Sequence, residues 1–153
     1  MSTIASDHPL TRDQQQALKI LAGLMIPAST EYQVPGADDD LIFADILRTV
    51  IPEHTVAKLV VGHLNDLVGG IFSDASNEDI QQAAQQFRKS GSPLVAFVHA
   101  LVAQCYYRDD RVMRALDMDP RAPFPEGFEV DDGDWSLLDP VRGRSPLYRL
   151  PPE

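Results

Sequence analysis

Cysteine is almost absent from this chain of 153 residues, which contains only Cys105. A single cysteine excludes an internal disulfide framework, a four-cysteine zinc site and a C-x-x-C-H haem attachment. The chain also lacks any apolar run approaching the ~20 residues that a membrane-spanning helix needs. Its first residues, 1–9, contain neither a basic stretch with an apolar core nor a twin arginine. From these absences we expect a cytoplasmic protein without membrane insertion.

Positive charge is scarce as well. The chain has 13 Lys and Arg residues against 23 Asp and Glu residues, which gives a formal net charge of −10. An acidic surface of this kind repels phosphate backbones and anionic lipid, so we expect no nucleic-acid partner. The apolar share of 44% and the charged share of 24% are close to those of ordinary globular proteins.

The sequence motifs of common catalytic sites are missing too. No serine lies in a G-x-S-x-G context, and neither G-x-G-x-x-G nor a Walker A sequence is found. Cys105 lies within an apolar stretch, so we interpret it as a small hydrophobic residue and not as a nucleophile. We therefore predict that this chain has no catalytic residues of its own.

Helical spacing dominates as far as about residue 117. Apolar residues recur three or four positions apart, and Leu41 and Leu59 are among those that we expect in the core. Residues that favour helix starts, such as Thr11, Ser76 and Pro93, precede several of these stretches. The predicted helices cover residues 11–26, 40–51, 53–72, 76–89, 93–107 and 109–116.

The final stretch, residues 118–153, has a different composition. It contains seven of the twelve prolines, and no helical or strand period continues into it. It is nevertheless rich in aromatic residues, in which disordered tails are poor. We expect this segment to lie extended across a surface, either that of its own domain or that of another chain.

These patterns together predict an all-α protein. We expect a compact bundle of about five to six helices over residues 11–117, preceded by a flexible N-terminus over residues 1–10. An extended, proline-rich C-terminal arm without regular structure is predicted over residues 118–153.

Arginine and aromatic residues are concentrated in residues 106–114 and in the arm. Arg, Tyr and Trp are the residue types that dominate protein–protein hot spots, which favours a binding function. The alternative is that these residues only hold the arm against its own domain, and the sequence does not distinguish the two. The predicted interface residues are Tyr106, Tyr107, Arg111, Phe124, Phe128, Trp135, Arg142, Arg144 and Tyr148.

Three residues define a different hypothesis. His63 and Asp66 lie three positions apart on one predicted helix, and His99 lies on another. Two histidines and one carboxylate are a known metal-ligand set, so the alternative function is a stand-alone small enzyme that uses a metal or acid–base chemistry. A histidine on an apolar stripe is more often a hydrogen-bonded core residue, which favours the first hypothesis.

Two segments resemble a known family. The first is LAGLMIPA at residues 21–28, followed by PGA at 35–37, and the second is CYYRDDRV at 105–112, leading to PFPEGF at 123–128. Together they resemble the small-subunit family named after gluconate 2-dehydrogenase subunit 3. The resemblance spans roughly residues 11–128.

The resemblance implies a helical accessory subunit without chemistry of its own. Members of this family pair with a large flavin-dependent oxidoreductase of the glucose–methanol–choline (GMC) type, which acts on sugars, sugar acids or related alcohols. The FAD is then expected in the large subunit, and this chain is expected to bind no cofactor. Many members carry a twin-arginine leader that this sequence lacks, so we expect an intracellular complex. A maturation chaperone that leaves after FAD loading is a further possibility.

Overall fold

The structure is a computed structural model, which describes residues 8–121, 127 and 133–144. Seven α-helices lie in these residues, and no strand is found among them beyond one isolated bridge between Ser29 and Val34. The prediction of an all-α protein is therefore confirmed. The helices are α1 (Arg12–Met25), α2 (Asp40–Thr49), α3 (His54–Val68), α4 (Asn77–Lys89), α5 (Pro93–Tyr106), α6 (Asp110–Ala115) and α7 (Asp139–Arg142).

Helix starts follow the capping chemistry of the sequence. Thr11 and Gln14 form a reciprocal capping box, in which the Thr11 hydroxyl accepts from the Gln14 N–H and the Gln14 side chain accepts from the Thr11 N–H. Ser76 caps α4, and Ser92 caps α5 just before Pro93. Because these side chains satisfy N–H groups that have no partner within the helix, the predicted starts agree closely with the observed ones.

Helix α3 ends four residues earlier than predicted, at Val68. Gly69 follows it with φ of 68°, the left-handed conformation that commonly ends a helix. The chain then turns back, and the Asn65 side chain accepts a hydrogen bond of 2.9 Å from the Phe72 N–H. Phe72 is fully buried at the start of a short 3₁₀ helix, Phe72–Asp74.

The core lies between the first five helices. Helix α3 packs against α1, α4 and α5, and α5 also packs against α2. Their facing surfaces bury mainly aliphatic side chains, together with Phe43, Phe72 and Phe87. The helices of the predicted domain thus bury one continuous apolar cluster.

Two residues that we expected in the core are on the surface instead. Leu41 is 68% exposed and Leu59 is 62% exposed. At 3.6 residues per turn, Leu41 lies nearly opposite the face of α2 that carries Ile42 and Ile46. Leu59 is likewise opposite the face of α3 that carries Val60. We expected both leucines in the core because they are three or four residues from other apolar residues. The face of each helix that packs inward is, however, on the other side.

The chain divides into two compact units, one up to Pro120 and one from Arg121 onward. In the second unit, a 3₁₀ helix over Trp135–Leu138 leads into the one-turn helix α7. The Asp134 side chain caps this segment by accepting from the Ser136 N–H. These two short helical turns within the arm were not predicted from the sequence. None of the helices in the described ranges combines the length and the apolar character needed to cross a membrane.

Candidate functional site

The loop between α1 and α2, residues 26–39, is closed on itself by backbone hydrogen bonds. Ser29 and Val34 exchange two N–H to C=O bonds of 3.0 Å, and the Ala37 N–H donates to the Ile26 carbonyl at 2.8 Å. Gly36 sits where the two sides of the loop approach closely, because a Cβ added there would lie 2.9 Å from the Ala28 nitrogen. The residue pattern Pro-Gly-Ala at 35–37 therefore closes this loop.

Arg111 joins the start of α2 to the start of α6. Its guanidinium donates to both carboxylate oxygens of Asp39, at 2.7 and 3.2 Å, and to both of Asp109, at 3.0 Å each. Both aspartates are N-cap residues: Asp39 accepts from the Leu41 N–H, and Asp109 accepts from the Arg111 N–H. We call Asp39, Asp109 and Arg111 the capping cluster.

The electrostatics of the capping cluster favour full ionisation. Hydrogen bonds from Arg111 lower the pKa of the Asp39 carboxyl and that of the Asp109 carboxyl, although partial burial opposes both shifts. The same hydrogen bonds raise the pKa of Arg111. A carboxylate held as the partner of a permanent cation is a poor general base or acid near neutral pH, so the cluster suits a structural function.

Tyr106 connects α5 to the same loop. Its hydroxyl donates a 3.1 Å hydrogen bond to the Pro35 carbonyl, and the residue is only 4% exposed. Burial raises the pKa of this phenol. The ring of the next residue, Tyr107, packs edge to face against that of Tyr106, with the ring centres 5.3 Å apart. Tyr107 is 56% exposed.

A second polar group surrounds Cys105. Arg108 donates to the Asp45 carboxylate and to the Thr49 hydroxyl, and the Cys105 sulfur lies 3.5 Å from that hydroxyl. The thiol is free and buried, as we expected. Burial raises the pKa of the Cys105 thiol, which keeps it protonated and weakly nucleophilic near neutral pH.

A groove of about 750 Å³ lies on the helical domain between α1, α4 and α5. Helix α1 contributes apolar side chains, including Leu24 and Met25. Tyr107, from the segment that follows α5, also lines the groove. A further lining set is polar and comes from α4 and α5: Gln81, Gln82, Gln85, Arg88 and His99.

The proposed metal-ligand residues are not assembled into a site. His63 packs its ring edge to face against Phe87, with the ring centres 5.6 Å apart, whereas His99 lines the groove from α5. Asp66 is exposed on α3. In the part of the chain that the structure describes, no group of three His, Cys, Asp or Glu side chains is placed to hold a metal ion.

The N-terminal part of the domain is more firmly held than the predicted flexible stretch implied. The His8 ring lies 3.0 Å from the Leu47 carbonyl through Nε2, and its Nδ1 accepts from the Leu10 N–H. Leu10 is buried in the core. Residues 8–10 therefore belong to the packed domain, whereas residues 1–7 lie outside the described ranges.

The predicted interface residues fall into three groups. Tyr106 and Arg111 both donate to the loop between α1 and α2, at Pro35 and Asp39, and Tyr107 packs against Tyr106. In the second unit, Trp135 and Arg144 are exposed, and Arg142 lies 3.5 Å from the Asp139 carboxylate. Three predicted residues lie outside the described ranges: Phe124, Phe128 and Tyr148.

Sequence reasoning missed the importance of Asp39 and Arg88. Asp39 is the middle member of a run of three aspartates, and although negative charge is favourable at a helix start, such a run does not indicate a pairing with Arg111. Arg88 lies at the end of a glutamine-rich helix, and nothing in its sequence context marked it as lining a groove. Comparisons with protein-family models, with curated proteins and with solved structures return no match for this chain.

Proposed function

We propose that this chain is a non-catalytic small subunit of a heteromeric FAD-dependent oxidoreductase. It stabilises or matures a large catalytic subunit of the GMC type, which holds the FAD and acts on a sugar, a sugar acid or a related alcohol. This chain contributes helical structure and binding surface, and it supplies no group to the reaction.

The observation that carries the proposal is the meeting of the two segments on which the family resemblance rests. Residues 21–28 and 35–37 belong to α1 and the loop that follows it, and residues 105–112 are about 70 positions further along the chain. The Tyr106 hydroxyl and the Arg111 guanidinium join the second segment to Pro35 and Asp39. Residues 105–112 of the second segment are thus bonded to the loop that contains residues 35–37 of the first.

The chemistry of that part supports an accessory function. The carboxylates of Asp39, Asp109 and Asp45 are paired with Arg111 or Arg108. A catalytic acid or base needs access to substrate and a pKa near the working pH. The pKa of Asp39 and that of Asp109 are lowered, and the pKa of the Cys105 thiol is raised. All three shifts move the groups away from neutral pH, which does not favour acid–base catalysis.

The surface next to these segments supports binding. Tyr107 is exposed immediately beyond the buried Tyr106, and it lines the same groove as Leu24 and Met25 of the first segment. Exposed aromatic side chains beside an apolar groove are typical of surfaces that a partner protein covers. The family resemblance indicates the class of partner, and the groove is the surface that we propose this partner covers.

The proposal is tested by purifying the chain twice, alone from a heterologous host and by a tag from its own host. Both preparations are assayed for dye-linked oxidation of sugars, sugar acids and alcohols, and for metal content. We expect activity only in the second preparation, together with a large flavoprotein. Activity or a stoichiometric metal in the chain purified alone would contradict the proposal and favour the enzyme hypothesis of His63, Asp66 and His99.

A further inference from the structure

The charge of the groove between α1, α4 and α5 differs from that of the whole chain. The chain carries 23 acidic residues and a formal charge of −10. Nevertheless, none of the described residues that line the groove is Asp or Glu, and Arg88 is the lining residue with a permanent positive charge. An apolar surface with one cation is therefore set into an acidic protein.

Arg88 also has no partner among the residues that the structure describes. By contrast, Arg48 of α2 pairs with Asp45 and Arg114 of α6 pairs with Asp110. Within the described residues, the Arg88 side chain makes neither an ion pair nor a hydrogen bond, and the residue is exposed. A guanidinium that lines a groove with apolar walls is suited to a carboxylate from another molecule, because its fork of N–H groups matches the two carboxylate oxygens.

The remaining lining favours a protein segment as the occupant. Leu24 and Met25 provide an apolar wall, and the flexible methionine adapts to the shape of a partner. Tyr107 and three glutamines add polar groups to the lining. Protein–protein interfaces combine apolar with polar side chains in this way, and an amphipathic helix commonly binds in a hydrophobic groove.

We infer that this groove is the docking site for an amphipathic helix of the large subunit. The apolar face of that helix packs on α1 and α5, and an Asp or Glu side chain at its edge pairs with Arg88. The inference rests on the proposed function, because it names the segment of the proposed partner that this chain binds.

The test compares two neighbouring charge reversals in the tagged chain expressed in its own host. Arg88→Glu removes the cation from the groove, and Lys89→Glu makes the same charge change on an exposed neighbour that does not line it. We expect Arg88→Glu to lower the flavoprotein retained per tagged chain by about 10-fold or more, because loss of one partner from a charge pair that the complex buries mainly speeds dissociation. The Lys89→Glu variant is expected to retain as much flavoprotein as the parent chain. Equal thermal unfolding curves show that both variants are folded.

A photoreactive residue locates the contact. Benzoylphenylalanine replaces Gln85, which lines the groove, or Gln86, which is exposed on α4 outside it. We expect position 85, and not 86, to crosslink to an apolar helical peptide of the flavoprotein that contains Asp or Glu.

Two outcomes overturn the inference in different ways. If the parent chain retains the flavoprotein but Arg88→Glu retains equally much, or if both positions crosslink alike, the groove is not the docking site and the proposed function stands. If the parent chain retains no flavoprotein, the proposed function fails and the inference fails with it.

Discussion

The guanidinium of Arg111 holds the carboxylate of Asp39 through two hydrogen bonds, although 72 residues separate them in the chain. Asp39 is the N-cap of α2, and the same guanidinium also holds Asp109, the N-cap of α6. One cation therefore fixes the starts of two helices that are far apart in sequence. Tyr106, whose hydroxyl donates to the Pro35 carbonyl, is bonded to the same loop that ends at Asp39.

Replacing Arg111 by Gln is expected to destabilise the domain. Hydrogen bonds to charged groups contribute more than neutral ones, but the Arg111 side chain is 40% exposed and solvent screens the pair, so we expect a loss of about 1–2 kcal/mol in the free energy of unfolding. Urea unfolding measures this loss. Arg114→Gln is the matched control, since its pair with Asp110 is well exposed and is expected to contribute about 0.5 kcal/mol or less. Equal losses of stability in the two variants would contradict the larger stabilisation that we assign to the capping cluster.

The stabilisation by Arg111 is expected to depend on pH in one direction. The pKa of Asp39 and that of Asp109 are lowered in the folded chain. Their contribution is therefore fully present above the unfolded aspartate pKa, about 3.9, and is lost as the pH falls through the lower folded values. The difference in stability between the parent chain and Arg111→Gln is expected to stay constant from neutral pH down to mildly acidic pH and then to shrink. A difference that grows on acidification would refute the assigned ionisation.

Adding one methyl group to a glycine is expected to have opposite effects at two positions. In Gly36→Ala the new Cβ meets the Ala28 backbone nitrogen at 2.9 Å, so the closed loop must shift, at a cost of about 1–3 kcal/mol. In Gly62→Ala the Cβ meets nothing within 4 Å on an exposed helical position, and we expect a gain of about 0.5–1 kcal/mol. Thermal and chemical unfolding of both variants measure the effects. A neutral or stabilising Gly36→Ala would show that the loop is not closed in this way.

The Cys105 thiol is expected to react slowly in the folded protein. It is buried, and burial raises its pKa, so little thiolate is present near neutral pH. Labelling with a chromogenic disulfide reagent is expected to be slow in buffer and fast in denaturant, where the same thiol is exposed. Rapid labelling of the native chain, at a rate close to that in denaturant, would indicate an accessible thiolate and would favour the catalytic interpretation of this residue.

Much of the fold could be predicted because its signals are local. The capping box of Thr11 and Gln14, the serine before Pro93, and the apolar surroundings of Cys105 all lie within a few residues of the feature that they specify. Leu41 shows the limit of this reasoning. Its spacing from other apolar residues fits a helix, but the face that turns inward is decided by the packing of α2 against α5.

The candidate site was harder to predict because it depends on contacts between distant residues. Tyr106 is of a residue type that is common in protein–protein hot spots. The sequence does not indicate that its hydroxyl is instead hydrogen-bonded to Pro35 within the chain. The pairing of Arg111 with Asp39 likewise needs the tertiary arrangement of two helices. The groove is formed by three helices at once, so no single segment carries its pattern. The sequence shows that residues of opposite charge and helix-capping residues are present, but it does not show which of them pair.

The most direct test of the central claim is size-exclusion chromatography of the tagged chain from its own host, with protein and flavin absorbance recorded together. We expect this chain and a large subunit to elute as one peak that carries the flavin absorbance. A peak at the size of the single chain, without flavin, would contradict the claim of a stable small subunit. If the chain binds the large subunit only before that subunit holds FAD, the chain is a maturation chaperone and not a stable small subunit.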